Sequence, residues 1–291
     1  FTARIVRIYG HREILRMGIV FAVSNQKGGV GKTTTAVNLA ACLGNLGRRI
    51  LVVDIDPQGN ATSGLGVDKN SDGASVYDLL CTQNLGSQLI EPSCVSNVMI
   101  IRSSPHVAGA EVEMIGLEGR EFMLRRALVE LKKEFDFIFI DCPPSLGLLT
   151  LNGLVASEGM LIPLQCEYYA LEGLGQLLST YQMVRDKLNP ALELSGLILT
   201  MADFRTNLTQ QVIEDVRRHF EVKVFRTVIP RSVKISEAPS FGKPITIYDP
   251  HSKGARCYEE FAKEFLERFG RGTRVREAGG EKPLAVVEAV V

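Results

Sequence analysis

The chain has 291 residues, of which 45% are hydrophobic and 23% are charged, and it contains no tryptophan. This composition is ordinary for a globular protein with a large core, and the length allows one large or two small domains. The formal net charge is zero, so a nucleic-acid-binding surface would have to be a local patch. No apolar run approaches the about 18–20 residues of a membrane-spanning helix. The six cysteines show neither a C-x-x-C pair nor the spacing of a metal site, so we expect reduced thiols in a cytosolic protein.

The two ends of the chain differ in composition from the rest. Residues 1–16 hold four arginines and one glutamate, without the apolar core or the small-residue cleavage site of a signal peptide. We therefore expect a basic N-terminal extension over residues 1–17, outside a folded domain of residues 18–270. Residues 271–291 are rich in glycine, charged and small residues, which predicts a disordered tail.

The first predicted elements are a short apolar strand, a glycine-rich turn and a helix. The strand covers residues 19–23, the turn contains Gly28, Gly29 and Gly31, and an apolar helical pattern runs to Leu46. Glycines let backbone N–H groups converge on an anion, and the helix dipole adds positive potential at the same place. This arrangement predicts a phosphate-binding loop.

The loop departs from the strict P-loop pattern G-x-x-x-x-G-K-[ST]. Gln26 stands where the first glycine is expected and Lys27 follows it, so the loop reads KGGVGKTT. In the ordinary pattern, Lys32 would neutralise the β- and γ-phosphates of a nucleotide and Thr33 would place a hydroxyl on Mg²⁺. A glycine-rich turn without a nucleotide is the alternative, which the order of strand, loop and helix disfavours.

Strand and helix patterns alternate through the rest of the chain. The other predicted strands are residues 49–55, 98–101, 137–140, 160–164 and 194–200. The predicted helices are residues 121–135, 146–156, 171–188, 208–220 and 255–269. Repeated β–α units with continuous apolar strands predict an α/β fold, a single domain with a doubly wound, mostly parallel sheet flanked by helices. In such a sheet the ligand binds at the carboxyl ends of the strands.

Two carboxylate motifs follow predicted strands. In DIDPQGN, Pro57 ends the strand and leaves Asp56 on a loop at the phosphate-facing edge of the sheet. In FIFIDCPPS, Asp141 closes an apolar strand in the form of a Walker B motif, whose aspartate holds Mg²⁺ directly or through water. Either aspartate alone could be a turn or cap residue. Their order after a phosphate-binding loop favours a nucleotide and Mg²⁺ site.

Four further segments extend the pattern over roughly residues 18–270: VDIDPQGNATSGLG, IDCPPSLGLLT, QCEYYALEGL and TVIPRSVKISEAPSFGKPI. Together with the loop they resemble the ParA/Soj-type chromosome-partitioning ATPases, a branch of the ParA/MinD family with a deviant Walker A P-loop. The resemblance implies a P-loop NTPase fold and an ATPase with ATP and Mg²⁺ as cofactors. It also implies a switch that forms a homodimer on ATP, binds double-stranded DNA non-specifically as the dimer, and is released by slow hydrolysis. A ParB-like centromere-binding protein would stimulate hydrolysis, and the protein would be cytoplasmic and nucleoid-associated when ATP-bound, with no membrane partner.

The resemblance also assigns roles to individual residues. Lys27 would reach across the dimer interface to the nucleotide of the partner subunit, Asp56 would position or activate the attacking water, and Thr34 would contact the α-phosphate. Pro230 and Arg231 would border the adenine. The expected catalytic residues are Lys27, Lys32 and Asp56, and the expected metal ligands are Thr33 and Asp141. The expected nucleotide-binding residues are Gln26, Lys27, Gly28, Gly29, Val30, Gly31, Lys32, Thr33, Thr34, Pro230 and Arg231.

A DNA-binding surface is expected in the C-terminal third of the chain. Residues 201–256 hold ten lysines and arginines and six acidic residues, a net charge of +4. On composition alone these are scattered charges of a solvated surface. The resemblance places Arg205 and Lys234 where basic residues contact DNA phosphates. Because only a dimer would join two such patches, DNA binding should require ATP, be independent of sequence and weaken steeply with salt.

Other functions fit the sequence less well. A MinD-like cell-division ATPase would bind membrane through a C-terminal amphipathic helix, but the segment FAKEFLERFG is more simply a helix packed on the sheet. A nitrogenase-type iron protein would need cluster cysteines, and Cys142 has no evident partner. An amide-forming relative, or a kinase relative linked to a sugar copolymerase, would need extra substrate or tyrosine-rich segments. The pair Asp56 and Asp141 disfavours a binding module without turnover. Chromosome and plasmid partition both remain open.

Overall fold

The computed structural model describes residues 17–82, 86–167 and 172–270, together with residue 170. The predicted N-terminal extension and C-terminal tail lie outside these residues, apart from Met17. The strands β1 to β8 are Ile19–Val23, Ile50–Asp54, Ile90–Pro92, Val98–Ile101, Phe137–Asp141, Gly159–Gln165, Glu193–Ala202 and Val224–Pro230. In the described part of the chain, the α-helices α1 to α11 are Lys32–Asn45, Asn60–Gly64, Val76–Thr82, Val107–Glu113, Met123–Leu131, Leu148–Ala156, Glu172–Lys187, Asn207–Phe220, Val233–Glu237, Ile245–Tyr248 and Lys253–Phe269.

The described strands form a single sheet in the order β3-β4-β2-β5-β1-β6-β7-β8. Every neighbouring pair is parallel except β3 with β4. Strand β5 lies between β1 and β2, and its last residue, Asp141, is level with Val23 on one side and with Asp54 on the other. The carboxyl ends of these three strands therefore meet at the same edge of the sheet.

Helices cover both faces of the sheet. On β5, Phe137 and Phe139 point into one hydrophobic cluster and Ile138 and Ile140 into the other, as the alternation of side chains along a strand requires. Helices α1 and α11 pack on the phenylalanine side, while α5 to α8 pack on the isoleucine side. This arrangement confirms the predicted α/β fold with a doubly wound, mostly parallel sheet.

The predicted elements differ from the observed ones mainly at the edges of the sheet. Strands β3 and β8 were not predicted, and neither were the short helices α2, α3, α4, α9 and α10. Strand β3 has three residues and contains a proline, and β8 has the exposed Arg226 as its third residue, so neither presents a continuous apolar run. The helix predicted over residues 121–135 is shorter, since it follows a 3₁₀ turn at Arg120–Phe122 and ends at Leu131.

Helix α11 packs on the sheet, as the sequence indicated. Phe261 and Phe265 are fully buried, and the ring of Phe265 lies 5.1 Å from that of Phe21 on β1. Glu264 of the same helix accepts hydrogen bonds from the backbone N–H groups of Arg226 and Thr227 and so covers the edge strand β8. Within the described residues, no helix has the length and apolar character needed to span a membrane.

Candidate nucleotide-binding site

The loop between β1 and α1 is fixed by hydrogen bonds to strands β6 and β7. The amide of Asn25 donates to the Pro163 carbonyl of β6 at 2.8 Å, and its oxygen accepts from the Lys27 N–H at 3.0 Å. The Thr200 hydroxyl of β7 donates to the Val30 carbonyl at 2.8 Å. These contacts fix the backbone of the loop without using its glycine N–H groups.

The glycines leave the front of the loop open. A Cβ atom added to Gly28 or Gly29 would meet nothing within 4 Å, so this side of the loop faces free space. Gly31, the N-cap of α1, has φ +90°, a left-handed conformation that a residue with a side chain rarely adopts. The first turn of α1 has neither a capping side chain nor an acidic residue, so its N–H groups are available to an anion.

The two lysines of the loop have different surroundings. Lys32 is 6% exposed, and its Nζ donates to the Lys27 carbonyl at 3.2 Å. Burial lowers the pKa of Lys32, while the nearby carboxylates of Asp141 and Asp56 oppose this shift. The side chain of Lys27 is 43% exposed, and its Nζ lies 3.0 Å from Oε2 of Glu167. One lysine is thus directed into the site and the other lies at the surface.

Asp141 is a buried carboxylate without a hydrogen-bond partner. It is completely buried, and neither of its oxygens has a partner among the described residues. Burial, and then the charge of Asp54, raise the pKa of Asp141 well above its usual value. The Thr33 hydroxyl, which lies nearby outside hydrogen-bond geometry, and the charge of Lys32 oppose this shift. Burial also raises the pKa of Asp54 to about 6, against hydrogen bonds from Thr62.

These residues fit a magnesium ion. A buried carboxylate without donors is unfavourable, and an unpartnered one in a native fold calls for an explanation such as an ion. Mg²⁺ usually keeps several waters and binds one or two carboxylates together with substrate phosphates. Asp141 and the Thr33 hydroxyl can supply the protein share of such a shell. The described residues contain no cluster of three or more His, Cys, Asp or Glu side chains suited to a metal, and Mg²⁺ with a nucleotide does not need one.

Asp56 lies on the loop after β2, at the predicted edge of the sheet. Its side chain is 7% exposed, and its Oδ1 accepts from the Gln58 N–H at 3.0 Å. Its backbone is held on both sides: the N–H donates to Asp54 Oδ1 at 3.2 Å, and the carbonyl accepts from the Ser103 hydroxyl at 2.7 Å. The structure thus brings Lys32, Asp56 and Asp141 to one place.

The remaining predicted residues lie around this centre. Gln26 has a buried amide nitrogen without a partner among the described residues, and Thr34 lies in the first turn of α1. Pro230 ends β8 and is buried, and Arg231 follows it with its guanidinium 3.7 Å from Oε1 of Glu167. Since Glu167 also pairs with Lys27, it joins the loop to the segment expected to border the adenine.

The two residues expected to bind DNA lie at the carboxyl ends of adjacent parallel strands. Arg205 follows β7 and Lys234 follows β8, and the two strands are paired at Ala202 and Pro230. The side chain of Arg205 is 87% exposed and donates to both oxygens of Asp203, while Lys234, 52% exposed, pairs with Glu237. Both cations are accessible, and each is paired with a nearby carboxylate.

Sequence reasoning missed several residues that support the site. They are Glu167, which holds Lys27, Thr200, which holds the loop, and the pair Thr62 and Ser103, which bond to the segment around Asp56. Glu167 and Thr62 stand within segments that carry the family resemblance, but the resemblance assigned no role to either residue. Thr200 and Ser103 have no local signal, because their partners are distant in sequence.

Residues 18–194 match a protein family described as an AAA domain. The chain is 55% identical over 248 residues to the sporulation initiation inhibitor protein Soj of Bacillus subtilis, which covers 85% of this chain and 98% of that protein. It is 50% identical over 259 residues to the chromosome partitioning protein ParA of Myxococcus xanthus, covering 89% of this chain and 92% of that protein. The chain belongs to the ParA/Soj family of chromosome-partitioning ATPases.

Similar solved structures support the same fold. A structure of cobyrinic acid a,c-diamide synthase from Mycobacterium smegmatis, with bound ATP analogue and magnesium, has a TM-score of 0.77 and 39% identity, covering 89% of this chain and 98% of that one. The cell division ATPase MinD of Pyrococcus furiosus has a TM-score of 0.71 and 28% identity, covering 86% and 99%. Identity to Soj and ParA is higher than to either structure. The predictions of a P-loop NTPase fold and of a ParA/Soj-type ATPase are confirmed.

Proposed function

We propose that this ParA/Soj-family ATPase is a molecular switch in which ATP joins two subunits, the dimer binds DNA without sequence preference, and slow hydrolysis separates them. The observation that carries this proposal is the contrast between the two lysines of one loop. Lys32 is buried beside the carboxylates, where it can serve the nucleotide of its own subunit. Lys27 lies at the surface, where it is available to a second subunit.

The predicted cofactors ATP and Mg²⁺ are confirmed by the similar solved structures, one of which holds an ATP analogue and magnesium. In this chain, the N–H groups of the loop and of the first turn of α1 would hold the phosphates together with Lys32. Thr33 and Asp141 would hold Mg²⁺. When bound, Mg²⁺ supplies positive charge to the phosphate oxygens on which negative charge develops.

Hydrolysis in such a site depends on positioning and charge neutralisation more than on covalent help. Asp56 would orient the attacking water, since its carboxylate stands at the strand edge with its backbone held on both sides. Lys27 would add a positive charge to the nucleotide of the partner subunit. To do so it must leave Glu167, and an exposed ion pair contributes only about 0–1 kcal/mol, so the exchange is inexpensive. A single subunit is then a slow ATPase.

The proposed DNA surface comprises Arg205 and Lys234. Both lie at the carboxyl edge of the sheet, the edge at which the nucleotide loop also lies. A dimer formed by ATP would therefore carry two such patches, and their combined charge would give DNA affinity that one subunit lacks. A ParB-like protein would stimulate hydrolysis, and the ATP-bound dimer would be found on the nucleoid.

The first experiment measures binding to random-sequence duplex DNA with ATP, with ADP and without nucleotide, at low and high salt. The wild type is compared with Asp56→Ala, which should retain the ATP-bound dimer. Binding that requires ATP, is stronger in the variant and is lost at high salt supports the proposal. Absence of DNA binding from a protein that dimerises with ATP contradicts it. Anionic liposomes then test the MinD-like alternative.

A further inference from the structure

A buried polar network lies behind the Asp56 loop, between strands β2 and β4. Oδ2 of Asp54 accepts hydrogen bonds from the N–H and the hydroxyl of Thr62, both at 2.8 Å. The Thr62 hydroxyl in turn accepts from the Ser103 N–H at 2.9 Å. Asp54, Thr62 and Ser103 are all completely buried. The family resemblance assigned none of them a role.

The network closes on the backbone of Asp56. Asp54 accepts from the Asp56 N–H at 3.2 Å, and the Ser103 hydroxyl donates to the Asp56 carbonyl at 2.7 Å. Asp54 ends β2, and Ser103 follows the end of the neighbouring strand β4 by two residues. The two anchors thus lie at, or just beyond, the carboxyl ends of two paired strands. A buried polar network in which these groups are paired restricts the backbone to one arrangement.

We propose that Ser103 is a positioning residue for ATP hydrolysis, whose hydroxyl holds the Asp56 carbonyl and thereby places the Asp56 carboxylate, with Thr62 orienting Ser103. The inference rests on the proposed role of Asp56. Catalysis by orientation is sensitive to small displacements, and a shift of about 1 Å can cost about a hundredfold in rate. The Asp56 carbonyl also accepts from the Gly59 N–H at 2.9 Å, so Ser103 supplies one of three hydrogen bonds to the Asp56 backbone. Loss of that one bond should cost less, about tenfold in kcat.

The neighbouring residue supplies a matched control. Ser104 is also buried, at 6% exposure, and follows the same strand, but its hydroxyl lies 3.0 Å from the Ser75 hydroxyl and does not contact Asp56. Ser103→Ala and Ser104→Ala therefore remove the same group from adjacent buried positions. Only the first removes a bond to the Asp56 backbone.

The test measures kcat, the KM for ATP and the thermal unfolding midpoint of the full chain for Ser103→Ala, Ser104→Ala and Asp56→Ala. We expect Ser103→Ala to lower kcat about tenfold with KM changed by less than about twofold, and Ser104→Ala to leave kcat unchanged. The double variant Ser103→Ala/Asp56→Ala should be no slower than Asp56→Ala, because the hydroxyl acts through that carboxylate.

Equal losses of kcat in the two serine variants, or an unchanged kcat in Ser103→Ala, would overturn the inference. An unchanged kcat in Asp56→Ala would instead overturn the role of Asp56, so the two failures are distinguishable. If Ser103→Ala does not fold, Ser103→Cys retains the size of the side chain with a much weaker donor. It should show the same selective loss of kcat, and wild-type turnover in that variant would also overturn the inference.

Discussion

Replacing Lys27 by alanine distinguishes the role of Lys27 from that of Lys32, the other lysine of the loop. Its Nζ is paired with Glu167, and the two side chains are 43% and 44% exposed. Pairs of this kind contribute about 0–1 kcal/mol, so the free energy of unfolding should change by less than about 1 kcal/mol. ATP binding by the single subunit should also be retained, because the loop N–H groups and Lys32 are unaffected.

Turnover should respond very differently. A positive charge supplied across an interface to a transferring phosphoryl group accelerates the reaction by about 10³–10⁵ in other nucleotide hydrolases. We therefore expect Lys27→Ala to lower the kcat measured with the stimulating ParB-like protein by at least about 10³-fold. Lys32→Ala is the contrasting variant. Since Lys32 is 6% exposed beside Asp141, its loss should abolish ATP binding itself.

A mixing experiment decides which subunit Lys27 serves. Lys27→Ala and Asp56→Ala proteins, each with strongly reduced turnover alone, are combined before ATP is added. If Lys27 acts on the nucleotide of the partner subunit, every mixed dimer contains one complete site. Random pairing then restores about a quarter of the wild-type turnover, because half of the dimers are mixed and each has one working site of two. No recovery from variants that both bind ATP would refute the placement of Lys27 in the partner's site.

Three further predictions follow from the structure. Gly31→Ala should lower the free energy of unfolding by about 1–2 kcal/mol, because Gly31 has φ +90°, a conformation that alanine adopts only at a cost. Gly28→Ala should leave the free energy of unfolding unchanged, and urea unfolding measures both variants. Without nucleotide, the free energy of unfolding should fall as the pH rises from about 4 to about 6. Over that range the folded protein binds more protons, since burial raises the pKa of Asp54 to about 6, and Asp54→Asn should reduce this slope. Arg205→Ala should weaken DNA binding for all sequences and lower the slope of log binding constant against log salt concentration by about one. The exposed Arg125 on α5 supplies the control variant Arg125→Ala, and equal effects of the two substitutions would contradict the DNA patch.

The sequence by itself was sufficient for the elements whose signal is local. The central strands appear as continuous apolar runs, because a parallel strand buried on both faces needs apolar residues at every position. The loop appears as glycines followed by Lys32 and Thr33, because a phosphate needs convergent N–H groups and a cation within a few residues of each other. Asp56 and Asp141 were found because Asp141 closes such a strand and Asp56 follows the end of one by two residues.

Tertiary structure alone decided the contacts that join distant segments. The Thr200 hydroxyl reaches the Val30 carbonyl across 170 positions, and Lys27 meets Glu167 across 140, because β6 pairs with β1 and β7 pairs with β6. Ser103 meets Asp56 because β4 pairs with β2 in a register that brings their carboxyl ends together. Strand order and register depend on how all the strands pack, so no short stretch of sequence encodes them. The local motif therefore identified the chemistry of the site, and the packing of the sheet determined which residues hold its groups in place.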